Sequence, residues 1–266
     1  MQIIFLMFMF ILGACFGSFL CCLARRIKYR QTHKRPLGHR SVCPHCKYQL
    51  KWYDNIPIVS WLILHGKCRK CHHKIGILEI ASEILTALAF LLLNFTIDVT
   101  TANAFEWAIF GTVMVFSIIL IFLAIYDGAY GELPTPALLL SIVASVMILV
   151  VKEAKILSMH PFSAELIYRP IFAVLVLGGL YLAIYMFSKG KWVGDGDWLL
   201  GTAIGIALFD PWLALITLFL SNFLATIVMY PFTKTKKTKK VHFGPFLVAA
   251  FIITYVFSEF FLSFVI

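Results

Sequence analysis

The sequence predicts an all-α polytopic membrane protein, with about eight transmembrane helices and a small zinc-stapled cytoplasmic loop domain after helix 1. Hydrophobic residues make up 61% of the 266 positions and charged residues only 14%, which excludes an ordinary soluble domain. Apolar stretches of roughly 20 residues, the length of a membrane-spanning helix, recur along the chain. One polar segment carries two Cys-x-x-Cys pairs, a spacing typical of zinc sites.

Five apolar stretches contain no charged residue and are long enough to span a membrane: 1–24, 107–126, 133–151, 170–188 and 211–233. Three weaker stretches complete the eight: 77–97, which begins with two glutamates, the short 198–209, and 243–266. The first stretch lacks the basic start of a signal peptide, which predicts a permanent anchor. We therefore expect a first helix over 1–24, a loop domain over 25–76 and a seven-helix membrane domain over 77–266.

Basic residues predict the orientation of these helices. Twenty of the 23 lysines and arginines fall in three segments, 25–74, 189–191 and 234–240, and such residues accumulate in cytoplasmic loops. An external N-terminus followed by eight crossings places all three segments on the cytoplasmic side of a bacterial inner (plasma) membrane. The net charge of +10 is then explained by topology and by attraction to anionic membrane lipid, so no nucleic-acid partner is expected.

The two Cys-x-x-Cys pairs lie in the polar loop and are separated by 21 residues: Cys43 with Cys46, and Cys68 with Cys71. Four thiolates at this spacing predict a closed, structural zinc site with no open position for catalysis. Two disulfides are the alternative, which a reducing cytoplasm disfavours. Neighbouring histidines could replace a sulfur ligand, but with four thiols available we expect them to be solvated: His45, His72 and His73.

Two acids at predicted helix ends are the candidate catalytic pair. Asp127 directly follows an apolar helix, and Asp197 ends the segment Gly194-Asp195-Gly196-Asp197 before another. Ionisable groups at the edge of lipid usually line a functional cavity, and two close carboxylates can share a proton and activate water. Glycines beside them permit close backbone approach. The alternative is that both acids only mark helix boundaries, where the helix dipole favours them.

The sequence resembles the bacterial type IV prepilin peptidases, including those that process competence pseudopilins. The resemblance rests on residues 17–20, 40–46, 52–62 and 66–71, on Glu83 and the segment 243–247, and on the catalytic half. There, Asp127 with Leu133-Pro134 matches the first aspartate of the family, and 194–197 matches its GxGD signature, which selects Asp197 over Asp195.

The resemblance implies an aspartic endopeptidase that removes the basic leader of prepilin or pseudopilin substrates, with Asp127 and Asp197 as the pair. Asp195 either contacts the substrate or is solvated, and Glu132 is a second candidate to bind the leader. Many members also methylate the new N-terminus with S-adenosylmethionine, for which Glu83 is our candidate residue. Cys21 stands where the family commonly has Asn, which removes an amide that could bind substrate or cofactor.

Three interpretations remain open from the sequence. The first is the prepilin leader peptidase, with or without methylation. The second is a different GxGD intramembrane aspartyl protease, which gives no reason for the tetracysteine loop. The third is a zinc-stapled scaffold that binds a pilin-like helix without cutting it, although buried acids are costly in a protein that does no chemistry with them. The sequence does not indicate which oligomeric state the protein adopts.

Overall fold

The computed structural model describes residues 2–33, 41–190, 193–233 and 242–264. Over these residues the chain is helical, with two isolated β-bridges and no strand. Six helical stretches of the described residues are long and apolar enough to cross a membrane, one of them the continuous stretch 165–188, and two shorter apolar helices accompany them. The all-α multi-pass fold class is therefore confirmed. Residues 34–40, Lys191 and the lysine-rich run 234–240, which support the orientation prediction, lie outside the described residues.

The described helices, in chain order, are α1 Gln2–His33, a 3₁₀-helix Trp52–Asn55, α2 Val59–Ile63, α3 Ile77–Asn94, α4 Ala104–Tyr130, α5 Thr135–Met159, α6 Glu165–Val174, a π-helical segment Leu175–Gly179, α7 Leu180–Ser188, α8 Asp197–Leu208, α9 Pro211–Thr233, α10 Gly244–Val256 and α11 Ser258–Leu262. The chain forms two compact units, residues 1–94 and 95–266. The helix α3, which the sequence groups with the later helices, belongs to the first unit.

Close packing of α1 on α3 builds the first unit. A methyl group added at Gly17 would lie 2.4 Å from the Ser82 carbonyl oxygen, and one at Gly13 would lie 2.8 Å from the Ala87 Cα. Small residues let membrane helices approach this closely and gain packing energy where hydrophobic burial contributes little. The helix α1 also continues to residue 33, beyond the apolar stretch, because long basic side chains favour helix and Arg25 forms an ion pair with Glu79 on α3.

The helix α8 occupies the interior of the second unit. Its 12 residues extend about 18 Å, less than the ~30 Å hydrocarbon core of a bilayer. Leu200, Ala203 and Ile204 are fully buried. On a neighbouring face, Gly201 and Gly205 contact the backbone of the π-helical segment and α6 respectively. The sequence predicts a short apolar helix here, and the structure shows that other helices enclose it.

The end of α8 opposite Asp197 is held by charged groups. The Lys152 ammonium donates to the Ala207 carbonyl oxygen at 2.8 Å and lies 5.0 Å from the centre of the Tyr255 ring. Two residues past α8, the Asp210 carboxylate accepts the Trp212 N–H at 2.9 Å and so caps the start of α9. A cation at a helix C-terminus stabilises the helix dipole, so Lys152 anchors α8.

Candidate functional site

Asp127 lies in the last turn of α4 and is buried, with 6% of its surface exposed. The Gly244 N–H, at the start of α10, donates to its Oδ2 at 2.9 Å. A methyl group at Gly244 would lie 2.9 Å from that oxygen, so only glycine fits without displacement. The chain leaves α4 at Gly131, whose φ of +69° favours glycine. The Gly244 N–H therefore fixes the position of the Asp127 carboxylate.

Asp197 is the first residue of α8 and is 7% exposed. The Gly194 N–H donates to its Oδ2 at 2.9 Å, and a methyl group at Gly194 would lie only 3.2 Å from that oxygen, which favours glycine there. Gly196 has a different role, because a methyl group there would lie 2.8 Å from the Leu133 Cβ. The loop that follows Asp127 thus packs directly on the loop that precedes Asp197. The two glycines of the GxGD segment serve these two contacts.

Both aspartates line one cavity of about 480 Å³ in the second unit. Tyr181 and Asn222 contribute polar side chains to its wall, and Leu133 an apolar one. The structure thus brings two acids that are 70 residues apart in sequence to the wall of one cavity. A water-accessible cavity with two buried carboxylates can hold a polar substrate group and transfer protons.

Asp195 and Glu132 line the same cavity, but both are exposed, unlike the two buried aspartates. Sequence reasoning does not find His242, which also lines the cavity and lies against Gly131. It notes the segment 243–247 as a family motif without connecting it to Asp127. The Gly244 contact spans 117 positions, and no local pattern encodes a pairing over that distance.

Glu83 belongs to the first unit and performs a structural task there. Its Oε2 accepts the Ile58 N–H at 2.7 Å. Ile58 has a φ of +64°, which is rare and strained for a β-branched residue, and the Val59 N–H donates back to the Pro57 carbonyl oxygen at 2.6 Å. These bonds define a tight γ-turn. The Glu83 carboxylate therefore holds a strained turn between the 3₁₀-helix and α2 against α3.

Glu83 also lines two adjoining cavities of the first unit, of about 150 and 240 Å³. Arg25, Asn55 and Glu79 line both of them. Cys21, the residue that departs from the family's usual Asn, lies in the wall of the smaller cavity and is buried. The smaller cavity thus combines two carboxylates with two arginines, and Cys21 is positioned to affect what binds there.

The four loop cysteines converge, and their sulfur atoms all lie within 4.8 Å of one another. The Cys43 and Cys71 sulfurs are 3.8 Å apart, and those of Cys46 and Cys68 are 4.0 Å apart. A tetrahedral zinc ion with Zn–S bonds of about 2.3 Å separates its ligands by roughly 3.8 Å. The donor set and its spacing therefore fit zinc, and among the described residues the metal-binding group that forms here contains no histidine.

The two Cys-x-x-Cys pairs lie in two turns of the same construction. In each, the first cysteine accepts the N–H of the residue four positions later, Lys47 or His72, and that residue has a positive φ. Burial raises the pKa of the Cys43 thiol, but hydrogen bonds from the Cys46 and His45 N–H groups and from the Cys68 and Cys46 thiols together lower that pKa to about 7. Hydrogen bonds of this kind favour the thiolate that a metal requires.

The fold and these sites define a class, a multi-pass helical membrane protein with a tetracysteine domain after its first helix and two buried aspartates in one cavity. Comparison with known proteins supports this class. Residues 11–97 match the model of the Bacterial Peptidase A24 N-terminal domain. The resemblance of the chain to the type IV prepilin peptidase family is therefore confirmed.

Individual relatives extend the match along the chain. A Prepilin leader peptidase/N-methyltransferase of Bacillus subtilis is 26% identical over 262 residues, 96% of each chain. Proteins of the same name from Myxococcus xanthus and Vibrio cholerae are 44% and 33% identical over 33% and 36% of this chain. Those two alignments span only 25% and 39% of the relatives' own lengths. No solved structure matches the chain.

Proposed function

We propose that this protein is a prepilin leader peptidase, an aspartic endopeptidase that cuts the short basic leader from type IV prepilin-like or competence pseudopilin substrates. The observation that supports it most is the cavity lined by both Asp127 and Asp197. The names of the relatives support the substrate class. The distribution of basic residues supports a multi-pass protein of the bacterial plasma membrane, with its N-terminus outside and this cavity at the cytoplasmic face.

In the proposed reaction, one carboxylate of the pair takes a proton from a water molecule, which attacks the peptide carbonyl carbon. The other member, protonated, donates to the carbonyl oxygen, and proton transfer to the departing amine completes cleavage. The fixed N–H donors of Gly244 and Gly194 hold the two carboxylates in place before the substrate arrives. The roles of proton acceptor and proton donor are a property of the coupled pair, and the two aspartates exchange these roles between turnovers.

Recognition of the leader is assigned to the exposed acids of the same cavity. Asp195 and Glu132 line it without being buried, so they can meet the lysines or arginines of a substrate in water. Exposed ion pairs are worth about 0–1 kcal/mol each. We therefore expect these two acids to affect substrate binding more than the chemical step.

The test is cleavage of a model prepilin by the purified, detergent-solubilised protein, with product masses measured by mass spectrometry. Asp127→Asn and Asp197→Asn should lower the rate by about 10²–10⁴-fold, the contribution of a general acid or base, while the proteins stay folded. Asp98→Asn, at an exposed acid outside the cavity, should keep the parental rate. Cleavage at the parental rate by either cavity variant would show that the assigned pair is wrong.

The same assay distinguishes the alternatives. A different GxGD intramembrane protease would cut inside the substrate's transmembrane helix, which changes the product mass. A scaffold would bind the prepilin and release no product. Neither alternative accounts for the tetracysteine domain and the aspartate pair together.

Methylation of the new N-terminus is the second activity that we propose, because the relatives are named N-methyltransferases and the first unit contains a suitable cavity. S-adenosylmethionine would supply the methyl group. The Glu79 and Glu83 carboxylates and the Asn55 amide of that cavity fit a sulfonium cation and ribose hydroxyls. We expect Cys21→Asn to increase the methylated fraction of the product, because it restores an amide in the cavity wall. An unchanged methylated fraction would show that Cys21 is not part of the methylation site.

Zinc is proposed as the occupant of the tetracysteine site: Cys43, Cys46, Cys68 and Cys71. Four sulfur ligands leave it no open position, so the metal supplies folding energy and no catalysis.

A further inference from the structure

Large apolar side chains are also exposed on the tetracysteine domain, outside the long apolar helices themselves. On α2 the exposed fractions are 48% for Val59, 58% for Leu62 and 65% for Ile63, and positions i, i+3 and i+4 share one helix face. Just before α2, Trp52 is 78% exposed and Ile56 is 38% exposed. Single exposed apolar residues are ordinary, but a cluster of five within 12 positions marks an interaction surface. We name these residues the 52–63 surface.

The hydrogen bond between the Ile58 N–H and Glu83 fixes the position of this surface along α3. The Ile58 N–H, one residue before α2, donates to Glu83, which lies six positions into α3. Six residues of helix correspond to about 9 Å. The helix α3 is apolar and long enough to cross a membrane, and its exposed residues beside Glu83 are Ile84 and Leu85. The start of α2 is thus fixed beside the second turn of a helix that can cross a membrane.

Cations and aromatic rings adjoin the apolar side chains. The Lys51 ammonium and the Arg69 guanidinium lie 5.7 and 5.0 Å from the centre of the Tyr53 ring. The Trp52 ring meets Tyr53 edge-on, with ring centres 5.6 Å apart. The nearby acid, Asp54, has a side chain only 1% exposed and bonds to Arg69 at 2.7 Å. The exposed charged side chains here are therefore basic, and the exposed Trp ring and half-buried Tyr ring beside them are residue types enriched at the membrane interface.

We propose that the 52–63 surface lies in the lipid interface of the membrane that α1 and α3 cross. The α2 side chains enter the boundary between headgroups and acyl chains, and Lys51 and Arg69 bind anionic phospholipid headgroups. Apolar residues beside basic ones bind such surfaces through burial and charge together. The tetracysteine domain is then held to the bilayer by noncovalent contacts of its own surface as well as by its two flanking helices.

Site-specific photo-crosslinking in the full-length protein tests this proposal. Leu62 is replaced by p-benzoylphenylalanine, and the protein is reconstituted in liposomes of phosphatidylethanolamine and phosphatidylglycerol, irradiated, and analysed by mass spectrometry for lipid adducts. Leu85, 65% exposed on α3, is the lipid-facing reference position. Lys70, exposed between the last two cysteines, is the aqueous reference position.

We expect the adduct yield at Leu62 to be close to that at Leu85 and about ten-fold above that at Lys70, because the interface buries the α2 face in lipid. Replacing phosphatidylglycerol by phosphatidylcholine should lower the yield at Leu62 and leave Leu85 unchanged. A yield at Leu62 as low as that at Lys70 would overturn the proposal. So would crosslinking of Leu62 to an added prepilin in place of lipid, which would identify the surface as a substrate-docking site. None of these outcomes depends on cleavage activity.

Discussion

Replacing Gly244 by alanine should slow cleavage by misplacing Asp127. The added methyl group would lie 2.9 Å from the Asp127 Oδ2 and 3.3 Å from its Cβ, closer than van der Waals contact allows. Overpacking of this kind costs about 1–3 kcal/mol. If that energy is relieved by moving the carboxylate away from its position in the transition state, the rate falls by about 5- to 150-fold, at tenfold per 1.36 kcal/mol.

Gly111→Ala is the matched control. Gly111 lies on α4, the helix that carries Asp127, and no neighbouring atom lies within 4 Å of an added methyl group. Alanine is the better helix former by roughly 0.5–1 kcal/mol, so this variant should be as stable as the parent and equally active.

The assay is steady-state cleavage of a model prepilin, with thermal unfolding recorded for each variant. The expected result for Gly244→Ala is a lower kcat with little change in KM, because the carboxylate moves while the rest of the cavity is retained. Parental kcat in a folded Gly244→Ala protein would refute the reasoning. A fall in the unfolding temperature with kcat unchanged would show that Gly244 serves packing alone.

Two further predictions concern stability. Cys43→Ser should lower the zinc content of the purified protein, measured by atomic emission, and make the loop domain sensitive to protease, because zinc binding stabilises such domains; Cys15→Ser, outside the cluster, should change neither. Lys152→Met removes the charged bond to the Ala207 carbonyl oxygen and should lower the unfolding free energy by about 1.5–3 kcal/mol. Lys155→Met breaks only a surface ion pair, worth about 0–1 kcal/mol, so equal losses in the two lysine variants would contradict the anchoring role.

The features that the sequence predicts are those encoded locally. The number of helices follows from apolar stretches, which can be recognised without knowing what each helix packs against. The tetracysteine site follows from two short spacings. The pairing of Asp127 and Asp197 needs one further step, since only the topology brings two distant helix ends together. In each case the residue types themselves carry the chemistry, so their identity is enough to suggest the site.

Other features depend on contacts that no short pattern records. Gly244 matters because its N–H reaches Asp127 across 117 positions. Glu83 appears in the sequence as an acid near a helix start, and the structure shows it bonded to the Ile58 backbone. The extension of α1 to residue 33 is missed for another reason, because the end of an apolar run marks the membrane boundary and a helix can continue through it. Backbone partners and helix ends therefore require the structure.

The enclosure of α8 has a consequence for how the membrane acts on the site. A change in bilayer thickness is felt by helices in contact with lipid, which tilt or shift to match it. Leu200, Ala203 and Ile204 of α8 are fully buried, and its far end is held by Lys152. Hydrophobic mismatch therefore reaches Asp197 mainly through the surrounding helices. We expect the depth of this carboxylate to stay nearly constant between membranes of different lipid chain length.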